Sequence, residues 1–377
     1  MAAKTHASES LFEHIRDDLM KRILSGEMHP GEKLPSERAL AVRYAVSRLT
    51  VRQAIDQLIY RNLVHRRPPR GTFVTERSQN AEGDFFRGAC IALIVVPDFS
   101  VSIFPSIAAG ITRNAPGTDF SVVLRCCDEN RYRERQYLEE LRERNVQGII
   151  LVAGVTTIHN LDLLKELTET MPFVMVDIQP PGLQVDRVYS DDSEGARQAV
   201  SHLIELGHRR ILHLAGPQEH STAKSRLEGY KLALAEHDLP YDPSLVRESG
   251  WGGRGAYAEL KKAFLNGSQQ HVTAIFACDD QAAVSACRVC REFNLNVPRD
   301  ISVVGYGNLD TGVPAEVALT SVDQHPEIIG EEALSLLVEK IQGKRPMGTT
   351  AAREVAPTLV TRNSCGIQLD QSELTRN

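Results

Sequence analysis

A chain of 377 residues is long enough for two or three domains, and 42% hydrophobic with 24% charged residues is an ordinary globular composition. No apolar run approaches the roughly 20 residues that span a bilayer, MAAKTHASES lacks the apolar core of a secretory signal, and seven scattered cysteines make no disulfide framework. These features point to the cytoplasm and away from membranes. The net charge of −6 hides an asymmetry: residues 1–80 carry 14 Lys/Arg against 9 Asp/Glu, and the rest of the chain 29 against 40. A basic head on an acidic body suits a polyanion bound at one end.

The first periodic stretch sets Leu11, Phe12, Ile15, Leu19, Ile23 and Leu24 on one helix face, with Ser10 and Glu13 as a capping box and Gly26 as a stop. LPSERALAVRYAVSRLTVRQAIDQL, from Leu34 to Leu58, then reads as two helices joined by a tight turn at Ala45-Val46. Ser36 caps the first helix and Ser47 the second, and Val51, Ala54, Ile55 and Leu58 recur at helical spacing as a buried face. The other face carries Leu49, Gln53 and Asp56, flanked by Thr50 and Arg52, with Arg48 in the first turn. A helix that enters a major groove needs such donors and acceptors near its N-terminus and cations at either side. Asn62 suits the left-handed C-cap after this helix. Arg66, Arg67 and Arg70 surround a Pro68-Pro69 turn, where they can meet phosphate or a minor groove.

SLFEHIRDDLMKRILSGEMHPGEKLPSER, the helix pair and RNLVHRRPPRGTFV together resemble a GntR-type winged helix from Leu11 to Val74. The resemblance implies double-stranded operator DNA as partner. The residues set against it are Arg38, Ser47, Arg48, Thr50, Arg52, Gln53, Arg67, Arg70 and Gly71. One departure is Ala45, at a turn position where the family often has glycine; an alanine at positive φ costs about 1 kcal/mol.

TERSQNAEGDFFRG, from Thr75 to Gly88, lacks periodicity and reads as a linker, with Phe85 and Phe86 docking on a flanking domain. Beyond Cys90, short Val- and Ile-rich runs (IALIVVP, SVVLRCC, GIILVA, FVMVD, RVYSD, RILHLAG, AIFACD, ISVVGYG) alternate with amphipathic helical stretches. This pattern marks strands buried on both faces of parallel sheets, joined by right-handed crossovers. Roughly eight strands favour two doubly wound halves over one sheet. The expected fold class is therefore α/β: an N-terminal winged helix-turn-helix over 1–75, a linker over 76–89, a two-lobed doubly wound domain over 90–363, and a frayed tail over 364–377.

PDFSVSIFPSIAAGI, RERQYLEELRERNVQGIIL, SDDSEGARQAVSHLIELGHRRILHLAGP, RLEGYKLAL, TAIFACDDQAA and VPRDISVVGYGN resemble, in order, the effector domain of LacI/GalR-type regulators, itself similar to periplasmic binding proteins. With the GntR-type head, the chain is similar to arabinose-repressor-like regulators. That resemblance implies a repressor, a homodimer on DNA, and a small effector, a sugar, held between the lobes without a cofactor. A sugar site asks for carboxylates or amides, a forked guanidinium and an aromatic face. Strand ends offer Phe104, Asp191 beside Asp192, Arg226, Trp251 and Asp279, and the resemblance puts Arg226, Trp251 and Asp279 on cleft positions. The helical phase of Leu227, Tyr230 and Leu234 turns Arg226 off the buried face, with Asp191 and Asp279 as its partners. The aspartates can equally cap the helices that follow them. Many relatives have an acid where Gly307 stands, and Asn308 is the available substitute.

Other readings carry less. Cys287 and Cys290 (CRVC) have no second pair at zinc spacing, and His202, His208 and His213 lack ligand spacing, so no metal site is expected. No phosphate loop, dinucleotide motif or nucleophile–base pair supports the alternative of an enzyme on a doubly wound fold. An activator that responds to a non-sugar ligand is the other alternative.

Overall fold

The computed structural model describes residues 15–23, 25–60, 63–67, 70–75, 90–97, 103–115, 120–144, 146–267, 272–309 and 317–367. The expectations for Ser10, Leu11, Phe12, Glu13, Leu24, Asn62, the Pro68-Pro69 turn, Phe85 and Phe86 lie outside these residues. The chain divides into two compact units, residues 1–88 with 130–145 and residues 89–129 with 146–377.

In the first unit, α1 (residues 15–23) buries Ile15, Leu19 and Met20. α2 (Glu37–Arg43) starts at Ser36, whose hydroxyl accepts from the Ala39 N–H at 3.2 Å. Ala45 adopts φ 53°, the left-handed conformation expected of the turn. α3 (Arg48–Tyr60) follows, with Ser47 Oγ accepting from the Thr50 N–H at 3.1 Å. Val51, Ala54, Ile55 and Leu58 are buried as their spacing requires, and they join Leu19, Leu34 and Leu40 in one core. β1 (Val64–Arg67) and β2 (Gly71–Val74) form the antiparallel wing with Val64 opposite Val74, and Lys33 bridges to Phe73 on its edge.

The second unit contains two six-stranded sheets among the described residues. The first is ordered β4 (Ser121–Cys126), β3 (Cys90–Val95), β5 (Gly148–Val152), β6 (Phe173–Val176), β7 (Asp186–Tyr189), β13 (Ala352–Glu354), all parallel. The second is ordered β9 (Val246–Glu248), β8 (Ile211–Ala215), β10 (Ala274–Ala277), β11 (Ser302–Tyr306), β12 (Thr320–Asp323), β14 (Thr358–Val360), with only β14 antiparallel. Aliphatic runs buried on both faces are what helices on either side of a parallel sheet demand. α4 (Phe104–Asn114) and α11 (Pro326–Ile341) pack on the first sheet through Ile107, Ile111, Ala333 and Leu337. They meet closely, for a Cβ on Gly110 would lie 2.1 Å from the Glu327 carbonyl oxygen.

The remaining helices named here are α5 (Arg131–Glu143), α6 (Leu161–Thr170), α7 (Asp192–Glu205), α8 (Ser221–Glu236), α9 (Gly253–Leu265) and α10 (Asp280–Glu292). α7 and α8 cover one face of the second sheet, and α9 and α10 cover the other. Because α7 follows β7 yet packs on the second sheet, the chain crosses between lobes after Tyr189. It crosses back after Asp323 and again after Glu354.

Two expectations change. Four strands escaped the reading of eight: β9, β13 and β14 are three-residue edges, and β12 buries Thr320 and Ser321 where an aliphatic run would be sought. Ser364 is not the start of a frayed tail. It is fully buried, donating to the Val303 carbonyl at 2.6 Å and accepting from the Thr320 N–H at 2.8 Å. No helix among the described residues is long and apolar enough to cross a membrane.

Candidate nucleic-acid interface and ligand cavity

The exposed face of α3 presents Arg48, Leu49, Arg52 and Gln53. Arg52 is held by the Glu37 carboxylate at 3.0 Å, and Arg66 lies between Glu37 at 3.5 Å and Asp56 at 2.9 Å. The hydrogen bond from Arg52 keeps Glu37 below the usual carboxylate range despite an opposing effect of burial. Arg38, Arg48 and Arg70 form no ion pair among the described residues, and with Lys33 they border a recess of about 510 Å³. Arg67 stacks its guanidinium 5.6 Å from the Phe73 ring. Gly71 adopts φ 122°, which strains any residue with a side chain, whereas the Lys33 side chain, with its Cε 2.7 Å from where a Cβ would lie, can swing aside. Thr50 departs from the expected base contact. Only 8% of it is exposed, and its hydroxyl is 2.8 Å from Ser47 Oγ, because the first turn of the helix uses it in the cap.

The second unit holds a cavity of about 580 Å³ between its lobes. Phe104 and Asp177 line it from the first lobe, Arg226, Trp251, Asp279 and Tyr306 from the second, and Gln324 from a crossing segment. Arg226 is buried on the inner face of α8 together with Ala223, Tyr230 and Ala233, which corrects the phase read from the sequence. Its Nε donates to Asp192 Oδ1 at 2.8 Å and its Nη1 to the Cys278 carbonyl at 2.5 Å. Its partner is therefore Asp192, neither Asp191 nor Asp279. The guanidinium lies 3.8 Å from the Tyr306 ring centroid and 5.3 Å from that of Trp251. Burial is the largest effect and works against the arginine's charge, but the Asp192 carboxylate together with Tyr306 and Cys278 outweighs it and leaves the group firmly protonated.

Asp279 lines the cavity and caps α10 at once, accepting from the Ala282 N–H with Oδ1 and from the Gly252 N–H with Oδ2, both at 2.7 Å. Asp191 is absent from the lining. It is the N-cap of α7, and its Oδ1 accepts from Ser193 and Glu194 N–H groups. Asn308 is also elsewhere: its side chain donates to Asp323 at 2.9 Å and accepts from Arg362 at 2.6 Å. Gly307 stands beside Asn308 at φ 123°, outside the cavity lining, so the missing acid leaves no gap there for Asn308 to fill.

Residues 11–74 match the bacterial regulatory proteins of the gntR family, and residues 200–365 a periplasmic-binding-protein-like domain. An arabinose metabolism transcriptional repressor of Halalkalibacterium halodurans is 30% identical over 367 residues, spanning 94% of this chain and 96% of its own. The chain belongs to this family of GntR/LacI-type transcriptional repressors. A repressor of the same description from Geobacillus stearothermophilus is 28% identical over 359 residues, 93% of this chain and 96% of its own. Among solved structures, the regulator CelR in complex with cellobiose has a TM-score of 0.64 at 26% identity, covering 88% of this chain and 100% of its own. A LacI family regulator from Enterococcus faecium with bound ribose has the same score at 25% identity, covering 74% and 100%. The protein is a transcriptional repressor with a sugar-binding-like effector domain, and its homologues are not enzymes.

The sequence reading of this repressor missed Asp177, Gln324, His220 and Glu129, all of which line the cavity. Asp177 was within reach. It ends the strand FVMV as Asp279 follows AIFAC, and the same strand-end rule finds both. Its carboxylate makes no hydrogen bond among the described residues. Burial, then the nearby Asp192 charge, push its pKa upward, opposed by Arg226 and Arg187.

Proposed function

We propose that this repressor binds operator DNA as a homodimer through its winged helix, and that a sugar between the lobes of the body sets its operator affinity. The observation that carries the ligand reading is the cavity itself. Two aromatic residues, Phe104 and Trp251, line it together with the unbonded carboxylate of Asp177 and the Arg226 guanidinium, whose Nη groups each keep one N–H beyond those given to Asp192 and Cys278, with Asp279 at the helix N-terminus beside them. Those are the parts that ring C–H groups and hydroxyls require. The sugars in the CelR and Enterococcus faecium structures, and the arabinose metabolism of the two repressors, make L-arabinose the first ligand to test.

The DNA reading rests on the cations left without ion pairs. Arg38, Arg48 and Arg70, with Gln53 and Ser47 exposed between them, meet bases and phosphates, while Arg52, Arg67 and Gly71 shape the flanks. One winged helix reads few base pairs, so two heads on a pseudo-palindrome supply the avidity. In this reading the head spans 1–75 and the linker 76–89, with the body starting at 90 and continuing through the packed Ser364. DNA as partner puts the protein in the cytoplasm.

The test is gel retardation on the promoter of the repressor's own gene, with and without L-arabinose, beside a thermal-shift screen of sugars. A binder at 100 times its dissociation constant stabilises the fold by roughly 2.7 kcal/mol. Arg48→Ala weakens specific binding by about 1–3 kcal/mol and random binding far less. A screen in which no sugar raises the melting temperature overturns the ligand reading; equal losses on both DNAs reduce Arg48 to a phosphate contact.

A further inference from the structure

Trp251 is the chain's only tryptophan and forms a wall of the cavity from a loop between two left-handed glycines, Gly250 at φ 74° and Gly252 at φ 79°. Such a loop does not by itself hold an indole. Two contacts do. A Cβ on Gly216 would lie 3.0 Å from both Cη2 and Cζ3, so the ring rests on bare backbone there. At the opposite edge, its Nε1–H donates to His220 Nδ1 at 3.2 Å, with the two rings edge-on at 79°.

His220 stands at the N-cap of α8 and makes no side-chain cap bond. Ser, Thr, Asp or Asn is the ordinary occupant of such a position, because its side chain accepts from the free N–H groups of the first turn. A position that departs from its local rule while making a specific contact in a cavity marks a functional constraint. Accepting at Nδ1 requires a neutral ring with its proton on Nε2. Burial keeps the ring neutral by lowering its pKa, against the weaker pull of Glu129 from the first lobe and of neighbouring Glu219. Arg226 is the cation on the indole's own face.

We infer that His220 is a positioning residue, which fixes the angle of the Trp251 indole and so the aromatic wall of the effector cavity. The role in effector binding rests on the sugar reading above; the hold on the indole does not. Protonation turns Nδ1 from acceptor to donor and releases the ring.

Because Trp251 supplies all the tryptophan emission, the full-length repressor reports on this contact directly. Emission is followed from pH 8 to pH 5 in wild type, His220→Gln, whose amide oxygen can still accept, and His220→Leu, which has no acceptor. Circular dichroism checks that each stays folded. Wild-type emission changes with a midpoint below 6.5, the two variants show no such step, and only the leucine variant shifts its emission maximum at pH 8. Titrated with L-arabinose, His220→Leu binds about three- to tenfold more weakly, and His220→Gln stays within about twofold of wild type. Wild-type emission that is flat across this range, or a leucine variant that matches wild type, overturns the inference. If emission behaves as stated while L-arabinose leaves every variant unchanged, the positioning role stands and the choice of sugar falls.

Discussion

Replacing Arg226 by alanine tests how the second lobe is held as well as what the cavity binds. The guanidinium and the Asp192 carboxylate are 7% and 6% exposed, and they meet at 2.8 Å. Truncation leaves the buried Asp192 carboxylate with only neutral neighbours, the Gln324 amide at 3.5 Å and the Tyr306 hydroxyl, and strips the Cys278 carbonyl of its donor. Stranding one member of a buried ion pair costs about 3–5 kcal/mol, a large share of the roughly 5–15 kcal/mol that holds a domain together. The double variant Arg226→Ala, Asp192→Asn removes the stranded charge, so it loses less than Arg226→Ala alone. Urea unfolding of the full-length chain, followed by circular dichroism, measures both. At a temperature where Arg226→Ala remains folded, its operator affinity stays near wild type and the effector no longer releases it. A single variant as stable as wild type refutes the ion-pair argument, and one that is released normally refutes the ligand role.

Three further changes separate other effects. Ala45→Gly relieves a left-handed alanine at φ 53° and stabilises the head by up to about 0.5 kcal/mol once the entropy of the glycine is set against the strain, read as a raised melting temperature; a lowered temperature counts against strain at this turn. Glu37→Gln frees Arg52, while Asp56 still holds Arg66 at 2.9 Å, so binding to random DNA tightens and the slope of log affinity against log salt steepens by about one. An unchanged slope would mean that Arg52 never reaches phosphate. His213, stacked between Tyr230 and Phe276, is pushed down to about 4 by burial, whereas the unfolded chain takes up a proton near 6.5. Its share of stability is therefore complete above pH 6.5 and is lost as pH falls towards 4, by about 3 kcal/mol at most. His213→Phe shows a flatter acid limb in urea midpoints taken from pH 7 to pH 4; an equally steep limb assigns the sensitivity elsewhere.

The sheets were legible because strands buried on both faces must be continuously aliphatic, and six of the eight runs are such strands; β4, at a sheet edge, buries only Val123, and β7 alternates buried with half-buried residues. β12 did not stand out, since Thr320 and Ser321 occupy buried positions by bonding their hydroxyls to the Arg362 N–H and to the Asp280 carboxylate. The ligand site was legible in kind more than in membership. A strand end names the neighbourhood, but the choice between Asp191 and Asp192 depends on which of two adjacent side chains turns back to cap the helix. Asp191 does so, which leaves Asp192 for Arg226. Asp279 shows that capping and lining are compatible, because a cap uses one face of a carboxylate at a helix start that already borders the cavity. Thr50 was misread for the opposite reason, as its place in the first helical turn suggests exposure and its bond to Ser47 draws it inward.

The same residues bound how a ligand can act. Asp192 opens α7 just after the first crossing between lobes, and Gln324, which reaches it, belongs to the second. A sugar that hydrogen-bonds only to Arg226 and Asp279 touches one wall and binds an open and a closed cavity alike. It then shifts no equilibrium, however tight its binding. Contacts to Asp177 or Phe104 made together with contacts to Arg226 or Trp251 exist only when the walls approach, and those alone favour closure. A hundredfold change in operator affinity needs about 2.7 kcal/mol of such difference. At about 0.5–1.5 kcal/mol for each net hydrogen bond, that is roughly two to five bonds confined to the closed form. Asp177→Asn, which keeps an acceptor but loses the charge, is the variant that weighs the first-lobe share. It lowers the response to effector while leaving the ion pair at Arg226 in place, and a response equal to wild type would move the closing contacts to Phe104 and Gln324.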